Sequence, residues 1–179
     1  MKYELTDETR KIKSKKTGRL ITLRRIRATK DFFVYTFYDG IISAVKIHKG
    51  QLGGWIESES NLSQEGRAWV DENAIAFDKA VVRGDAWLGP GSVIGDSASI
   101  TDSVKVISQG KYPADIGGNV RVSGNSRIHA SLRGEGEVWN QKVLEPREIK
   151  RPSLTEKIIN GARMIEVDYG HRKLTKFIN

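Results

Sequence analysis

The chain contains no cysteine, so neither a disulfide nor a cysteine-ligated metal site is available to it. No apolar run approaches the ~20 residues that span a bilayer. The opening stretch MKYELTDETRKIK lacks the apolar stretch of a secretory leader. The expectation is a cytoplasmic protein without membrane contact. Compact catalytic signatures are absent too: there is no glycine-rich phosphate loop with its lysine, no HExxH and no GxSxG. No metal site is expected. The 179 residues suffice for one domain with a real core, or for a core module carrying arms.

Charge is plentiful but unevenly placed. Residues 1–60 hold 13 Lys/Arg against 7 Asp/Glu, residues 61–140 hold 8 against 10, and residues 141–179 hold 9 against 5. The basic excess thus sits on two flanks around a slightly acidic centre. That suits an anionic partner reached by the arms, or simply a solvated, soluble surface.

The centre is periodic. From Val70 the sequence divides into VDENAI, AFDKAV, VRGDAW, LGPGSV, IGDSAS and ITDSVK. The first position is Val70, Ala76, Val82, Leu88, Ile94 and Ile100; the fifth is Ala74, Ala80, Ala86, Ser92, Ala98 and Val104. The fifth position and the following first position are two residues apart, so in a strand both point to one side and the residue between them points to the other. Each hexad reads as a short strand followed by a turn rich in Gly, Asp, Asn and Ser. Three hexads form one triangular coil of 18 residues, and stacked coils bury a continuous column. The fold class expected is mainly β: a left-handed parallel β-helix of hexapeptide repeats, with an N-terminal β segment and hairpin and a short C-terminal helix.

Around this module the chain divides into an N-terminal basic segment (1–60), the repeat region (61–140) and a basic C-terminal arm (141–179). LITLRRIRA reads as a strand, and FFVYTFY and IISAVKI flank Asp39-Gly40 as a hairpin over 32–47. Residues 107–119, with Pro113 and three glycines, read as a loop, after which the repeat resumes at Val120, Val122, Ser126 and Ile128 and fades beyond Leu132. Ser153 and Glu156 form a candidate capping box ahead of Leu154, Ile158, Ile159 and Ala162, which predicts the C-terminal helix.

LGPGSV and IGDSAS follow the order aliphatic, Gly or acidic, two free positions, small, one more. Through them residues 70–105 resemble the hexapeptide-repeat acyltransferase superfamily; AFDKAV and VRGDAW depart at the second position. The resemblance implies a homotrimer of β-helices, acetyl-CoA as cosubstrate, and a histidine base near a groove between subunits. MKYELTDET, LRRIRATKDF and KGQLGGWIESESNLSQEG are similar to a family of phage and prophage proteins in which a short β segment leads into hexads. Relative to that pattern the hairpin 32–47 is an insertion.

Under the acyltransferase resemblance His129, one residue past inward Ile128, is the candidate general base, since an imidazole titrating near neutrality suits proton removal from an acceptor. An outward histidine on a repeat is equally read as merely solvated. His48 and His171 lack a motif. Asp71, Asp78, Asp85, Asp96 and Asp102 fall in hexad turns, where carboxylates hydrogen-bond the turn backbone.

The binding candidates are more distinctive. Trp69 and Trp87 lie 18 residues apart at the outward sixth position, with Lys105 next in the column. Two outward tryptophans need covering, by another subunit or a flank, or else they form a stacking platform for a planar ligand such as a nucleobase. Lys13, Lys15, Lys16 and Arg19 precede the first long strand, and Arg25 and Arg27 share one of its faces; these are candidate phosphate contacts. The leading expectation is a non-catalytic phage-type β-helix oligomer that binds an anionic ligand, nucleotide-like or in a nucleic-acid-containing host complex, and so inhibits host antiviral defence from the host cytoplasm. No cofactor is expected on that reading. The alternatives are the acyl-CoA-dependent acyltransferase and a structural or scaffold trimer.

Overall fold

The computed structural model describes residues 1–38, 41–108, 114–144, 146–149, 153–159, 162–168 and 173–178, the part from Arg147 onward as backbone together with the exposure of Ile158. It is mainly β, and a single short 3-10 turn at Glu59–Asn61 is the one helical element among the described residues.

The hexads fold as two-residue strands joined by corners. Trp69–Val70, Ile75–Ala76, Val81–Val82, Trp87–Leu88, Val93–Ile94, Ser99–Ile100 and Lys105–Val106 each place a sixth-position residue outward and a first-position residue inward. Strands 18 residues apart pair in parallel, as in Trp69 with Trp87, Ile75 with Val93 and Val81 with Ser99. This gives three stacks of strands, the faces of a parallel β-helix. The fifth and first positions are fully buried from Val70 to Val104. The corners need a left-handed residue, and Asn73, Asp78, Asp96 and Asp102 adopt φ of 60, 54, 55 and 56°. Asn, Asp and Gly tolerate that region best, which explains the turn composition. The carboxylates also stitch coils: Asp96 accepts from the Gly118 amide at 2.7 Å and Asp102 from the Gly124 amide at 2.8 Å. These turn aspartates therefore do the backbone work expected of them.

Five coils stack, from Leu52–Ile56, whose Trp55 and Ile56 pair with Ile75 and Ala76, to Lys142–Val143. The expected loop over 107–119 is narrower than the sequence suggested. Strand returns at Asp115–Ile116 and again at Asn119–Ser123. Val93 pairs with Asp115, 22 residues on, so the excursion adds four residues at one corner and the helix re-enters in phase. Gly117 and Gly118 belong to an ordinary corner, with Gly118 at φ 79°. Residues 109–113 lie outside the described residues. The last coil is shorter: Ile116 pairs with Leu132 and Arg127 with Lys142. That shortening is why the six-residue pattern fades after Leu132.

The N-terminal segment forms β1 (Tyr3–Lys13), β2 (Leu20–Ala28), β3 (Phe32–Tyr38), β4 (Ile41–Ile47) and β5 (Leu52–Ile56). β1 and β2 pair antiparallel, β2 pairs antiparallel with β5, and β5 is the first strand of one helix face. β3 and β4 pair from Phe32–Ile47 to Tyr38–Ile41, leaving two residues between them where the sequence reads Asp-Gly.

The expected C-terminal helix is corrected. Ser153–Ile159, Ala162–Asp168 and Lys173–Ile178 are strands of an antiparallel sheet, with Ile159 paired to Ala162. That register leaves a two-residue connection at Asn160-Gly161, a strong hairpin signal that outweighs the Ser-x-x-Glu capping pattern. No helix among the described residues is long and apolar enough to cross a membrane.

Candidate functional site

The outward column of one face runs Trp69, Trp87, Lys105, Arg127 and Lys142. The sequence marked its first three members as an outward ladder. They are outward from the coil, yet Trp69 and Trp87 are 0% and Lys105 is 1% exposed. The cover is the β3–β4 hairpin. Phe32 meets the Trp69 ring edge-on, with centroids 5.3 Å apart, and Phe37 meets the His129 imidazole edge-on at 5.8 Å. Val34, Phe37 and Ile47 are buried with the column in the main core cluster. Of the readings offered for these tryptophans, the structure shows cover by a flank: the chain's own hairpin closes the column. Burying two tryptophans gains far more than any exposed ladder would, since each hides some 150–250 Å². Gly53 and Gly89 give the indoles their space, because a Cβ at either would sit 2.6 Å from the Trp69 or Trp87 ring.

Cations under the hairpin form no ion pair among the described residues, although the Asp85 carboxylate acts on Lys2 and Lys105 from a distance. The Lys105 ammonium donates to the Asp85 backbone carbonyl at 2.7 Å. The Arg127 guanidinium donates to the Asn125 and Ser126 carbonyls and lies over the Phe37 ring at 5.1 Å. Neither has an ion pair among the described residues. Lys2, which sequence reasoning missed, joins them: it is buried, donates to the Ala68 carbonyl at 2.7 Å and sits 5.9 Å from the Phe32 ring centre. Burial pulls both the Lys2 and Lys105 ammonium groups down to about 8. No pattern in the sequence marks Lys2, because its burial comes from contacts some sixty residues away.

His129 stands at the lower end of this face, partly buried. Burial first, then the nearby Lys142 and Arg127 charges, push its imidazole below the ordinary histidine range. It is therefore neutral at pH 7, the form that accepts a proton. Its Nε2 is buried and meets no hydrogen-bond partner among the described residues, as does Trp69 Nε1. Trp87 Nε1 donates to Asp71 at 3.2 Å.

The basic arm lies elsewhere. The β1–β2 hairpin crosses a second face, where Ile21 and Leu23 pack on Ile75. Its tip cations meet carboxylates of the coils: Lys15 with Asp115 at 3.2 Å, Lys16 with Asp96 at 3.7 Å, and Arg19 with Glu57 and Asp78. Arg25 pairs with Glu8 and Glu72, and Arg27 with Glu4 at 2.7 Å. Of the expected phosphate contacts, only Lys13 has no ion pair among the described residues; it is exposed on β1 beside Arg10 and Lys11, which also lack one. A cleft of about 460 Å³ lies under this tip, lined by Lys16, Arg19, Glu57, Asp78, Lys79 and Asp96. Tryptophan column and basic tip are on different faces and do not form one site. His48 is exposed in a turn, and His171 lies outside the described residues. No group of His, Asp and Glu converges as a metal site among the described residues.

No family model matches the chain. It is 36% identical over 116 residues to a protein described as an uncharacterized acetyltransferase, YdcK, of Escherichia coli strain K12, the alignment covering 61% of this chain and 32% of that protein. The chain therefore spans about a third of the length of the curated relative it matches.

Proposed function

We propose that this chain is an acyltransferase-like β-helix module that takes its acyl group from an acyl-CoA donor, with His129 as the general base. The likeness to an acetyltransferase-described protein over 61% of the chain carries this reading; the hexad coils and the neutral imidazole support it. His129 Nε2 would accept the proton of an acceptor hydroxyl or amine as that atom attacks the thioester carbonyl, and would return a proton to the departing thiolate. Burial, and then the Lys142 and Arg127 charges, favour the unprotonated base. Phe37 stands against the ring, so an acceptor reaches Nε2 only when the hairpin end shifts. The reading includes a homotrimer, with the acceptor groove at a subunit boundary.

Incubation with acetyl-CoA and a panel of amine and hydroxyl acceptors tests it. Turnover lost in His129→Ala supports the assignment, and turnover unchanged removes His129 from it. Absence of turnover with every acceptor sinks the enzymatic reading, and a monomer by light scattering removes the subunit groove.

One observation favours a second reading. The exposed cations Arg10, Lys11 and Lys13 lack ion pairs among the described residues while the imidazole is covered, which suits a non-catalytic phage-type protein that binds an anionic ligand or a nucleic-acid-containing host complex to antagonise host defence. Binding to nucleic acid that weakens with salt and with Lys11→Ala plus Lys13→Ala would favour it; salt-independent binding would not.

A further inference from the structure

We propose that the coil face beneath the β3–β4 hairpin is a nucleotide-binding site, and that the hairpin is its displaceable cover. The proposal goes beyond either functional reading, because it concerns where a planar, phosphate-bearing ligand binds and not what is done with it.

The face has two kinds of group that a well-sealed core avoids. Lys105 and Arg127 are buried cations without an ion pair among the described residues; Lys105 donates to the Asp85 backbone carbonyl and feels the Asp85 carboxylate only at a distance, and Arg127 donates to backbone carbonyls and lies over the Phe37 ring. Buried charge of this kind is costly unless it is compensated. Trp69 Nε1 is wholly buried with no acceptor among the described residues, and His129 Nε2 likewise. All four lie on one face, within one column of stacked coils or next to it. Two indoles offer stacking surface, two cations offer charge for phosphate, and two N–H or N groups await a polar partner. A nucleotide supplies a π-face, phosphate charge and polar edges together.

The cover is separable from what it covers. β3 and β4 pair only with each other among the described strands, and their connection to the coils is through side chains. The strands of the face itself are tied by a five-stranded parallel ladder. Lifting the hairpin breaks packing but no backbone ladder outside it. Lys105 also weakens its seat, since an apolar cover cannot solvate an ammonium group, while the Arg127–Phe37 contact holds one end of it.

The shared chemistry is that of a nucleoside diphosphate, free or as the nucleotide half of coenzyme A. Isothermal titration of the full chain with ADP, with coenzyme A and with inorganic pyrophosphate separates these. ADP binding as tight as coenzyme A assigns the site to a free nucleotide; coenzyme A binding tighter by about tenfold or more assigns it to the acyl donor, and either result supports the site. Lys105→Met, which keeps side-chain length, is expected to remain folded and to lose at least about tenfold in affinity. Phe37→Ala, which loosens the cover, is expected to tighten binding, because apparent affinity rises with the fraction of open molecules. If Phe37→Ala fails to fold, Val34→Ala takes its place. Ligand should also speed hydrogen exchange of the β3–β4 amides while leaving the coil amides protected. The proposal is overturned if none of ADP, coenzyme A or their Phe37→Ala titrations shows binding. It is equally overturned if only pyrophosphate binds, if Lys105→Met binds unchanged, if loosening the hairpin weakens binding, or if ligand slows exchange in β3–β4.

Discussion

Two faces of the same β-helix are covered by two hairpins from the same N-terminal segment, and the covers differ in kind. β1–β2 joins its face through backbone pairing with β5 and through ion pairs from Lys15, Lys16 and Arg19 to carboxylates of the coils. β3–β4 covers its face through Phe32, Val34, Phe37 and Ile47, above cations that no carboxylate meets among the described residues. The first cover is electrostatic at its tip and continuous with the sheet at its root. The second is apolar, and set over charge. Packing dominates where water is excluded and charge pairing contributes little where it is not, so the second cover should hold the larger energies of both signs.

The sharpest way to break the comparison is Trp87→Ala. Loss of a wholly buried indole should cost about 3–5 kcal/mol, a large share of a typical 5–15 kcal/mol stability, read as a fall in the denaturant midpoint. Phe37→Ala should cost about 3 kcal/mol by the same reasoning, less if the hairpin end relaxes onto His129. A loss below about 0.5 kcal/mol, within the range of an ordinary surface change, would show that the hairpin is not seated as described.

Lys105→Met goes the other way. Replacing a buried cation that has no ion pair by an apolar chain of similar length should gain about 1–3 kcal/mol, seen as a higher melting temperature. The pH dependence follows the same sign. The Lys2 and Lys105 ammonium groups lie near 8 in the fold, below their ordinary 10.5. Folding thus disfavours their charged forms; the penalty is full below about pH 8 and fades as pH rises toward 10.5. Melting temperature should rise between pH 7 and 10, and Lys2→Met with Lys105→Met should remove that rise. A flat wild-type profile would mean that the two lysines reach water.

The smallest effects belong to the first cover. Arg19→Ala or Lys16→Ala should shift the denaturant midpoint far less than Trp87→Ala or Phe37→Ala, because solvent screens ion pairs at exposed side chains. High salt should shrink even that, whereas the Trp87 and Phe37 losses should persist in salt.

How far each region was legible in the sequence follows from the range of its interactions. The coils were readable because Val70 through Val104 repeat a local rule, two inward residues and a left-handed corner, that depends on neighbours a few residues apart. The β3–β4 pairing was readable from Asp39-Gly40 between two apolar runs. The corner insertion after Val106 looked like a longer loop because Gly117 and Gly118 carry the same composition in a tight corner as in a loop. The C-terminal strands were misread because Ser153 and Glu156 imitate a cap while Asn160-Gly161 sets the hairpin register. The Trp69–Trp87–Lys105 column was legible as a column in need of cover, but not which segment covers it.

The sequence by itself determined the β-helix, its inward and outward positions, the Asn, Asp and Gly corners, and the alignment of Trp69, Trp87 and Lys105. All of these follow from strand alternation and backbone sterics over a few residues. It took the tertiary structure to show that an apparent insertion seals that column, that Lys2 is buried beside it, and that the basic tip spends most of its charge on carboxylates of the coils. Those outcomes depend on which hairpin lands on which face, through contacts between residues far apart in the chain that no local pattern encodes.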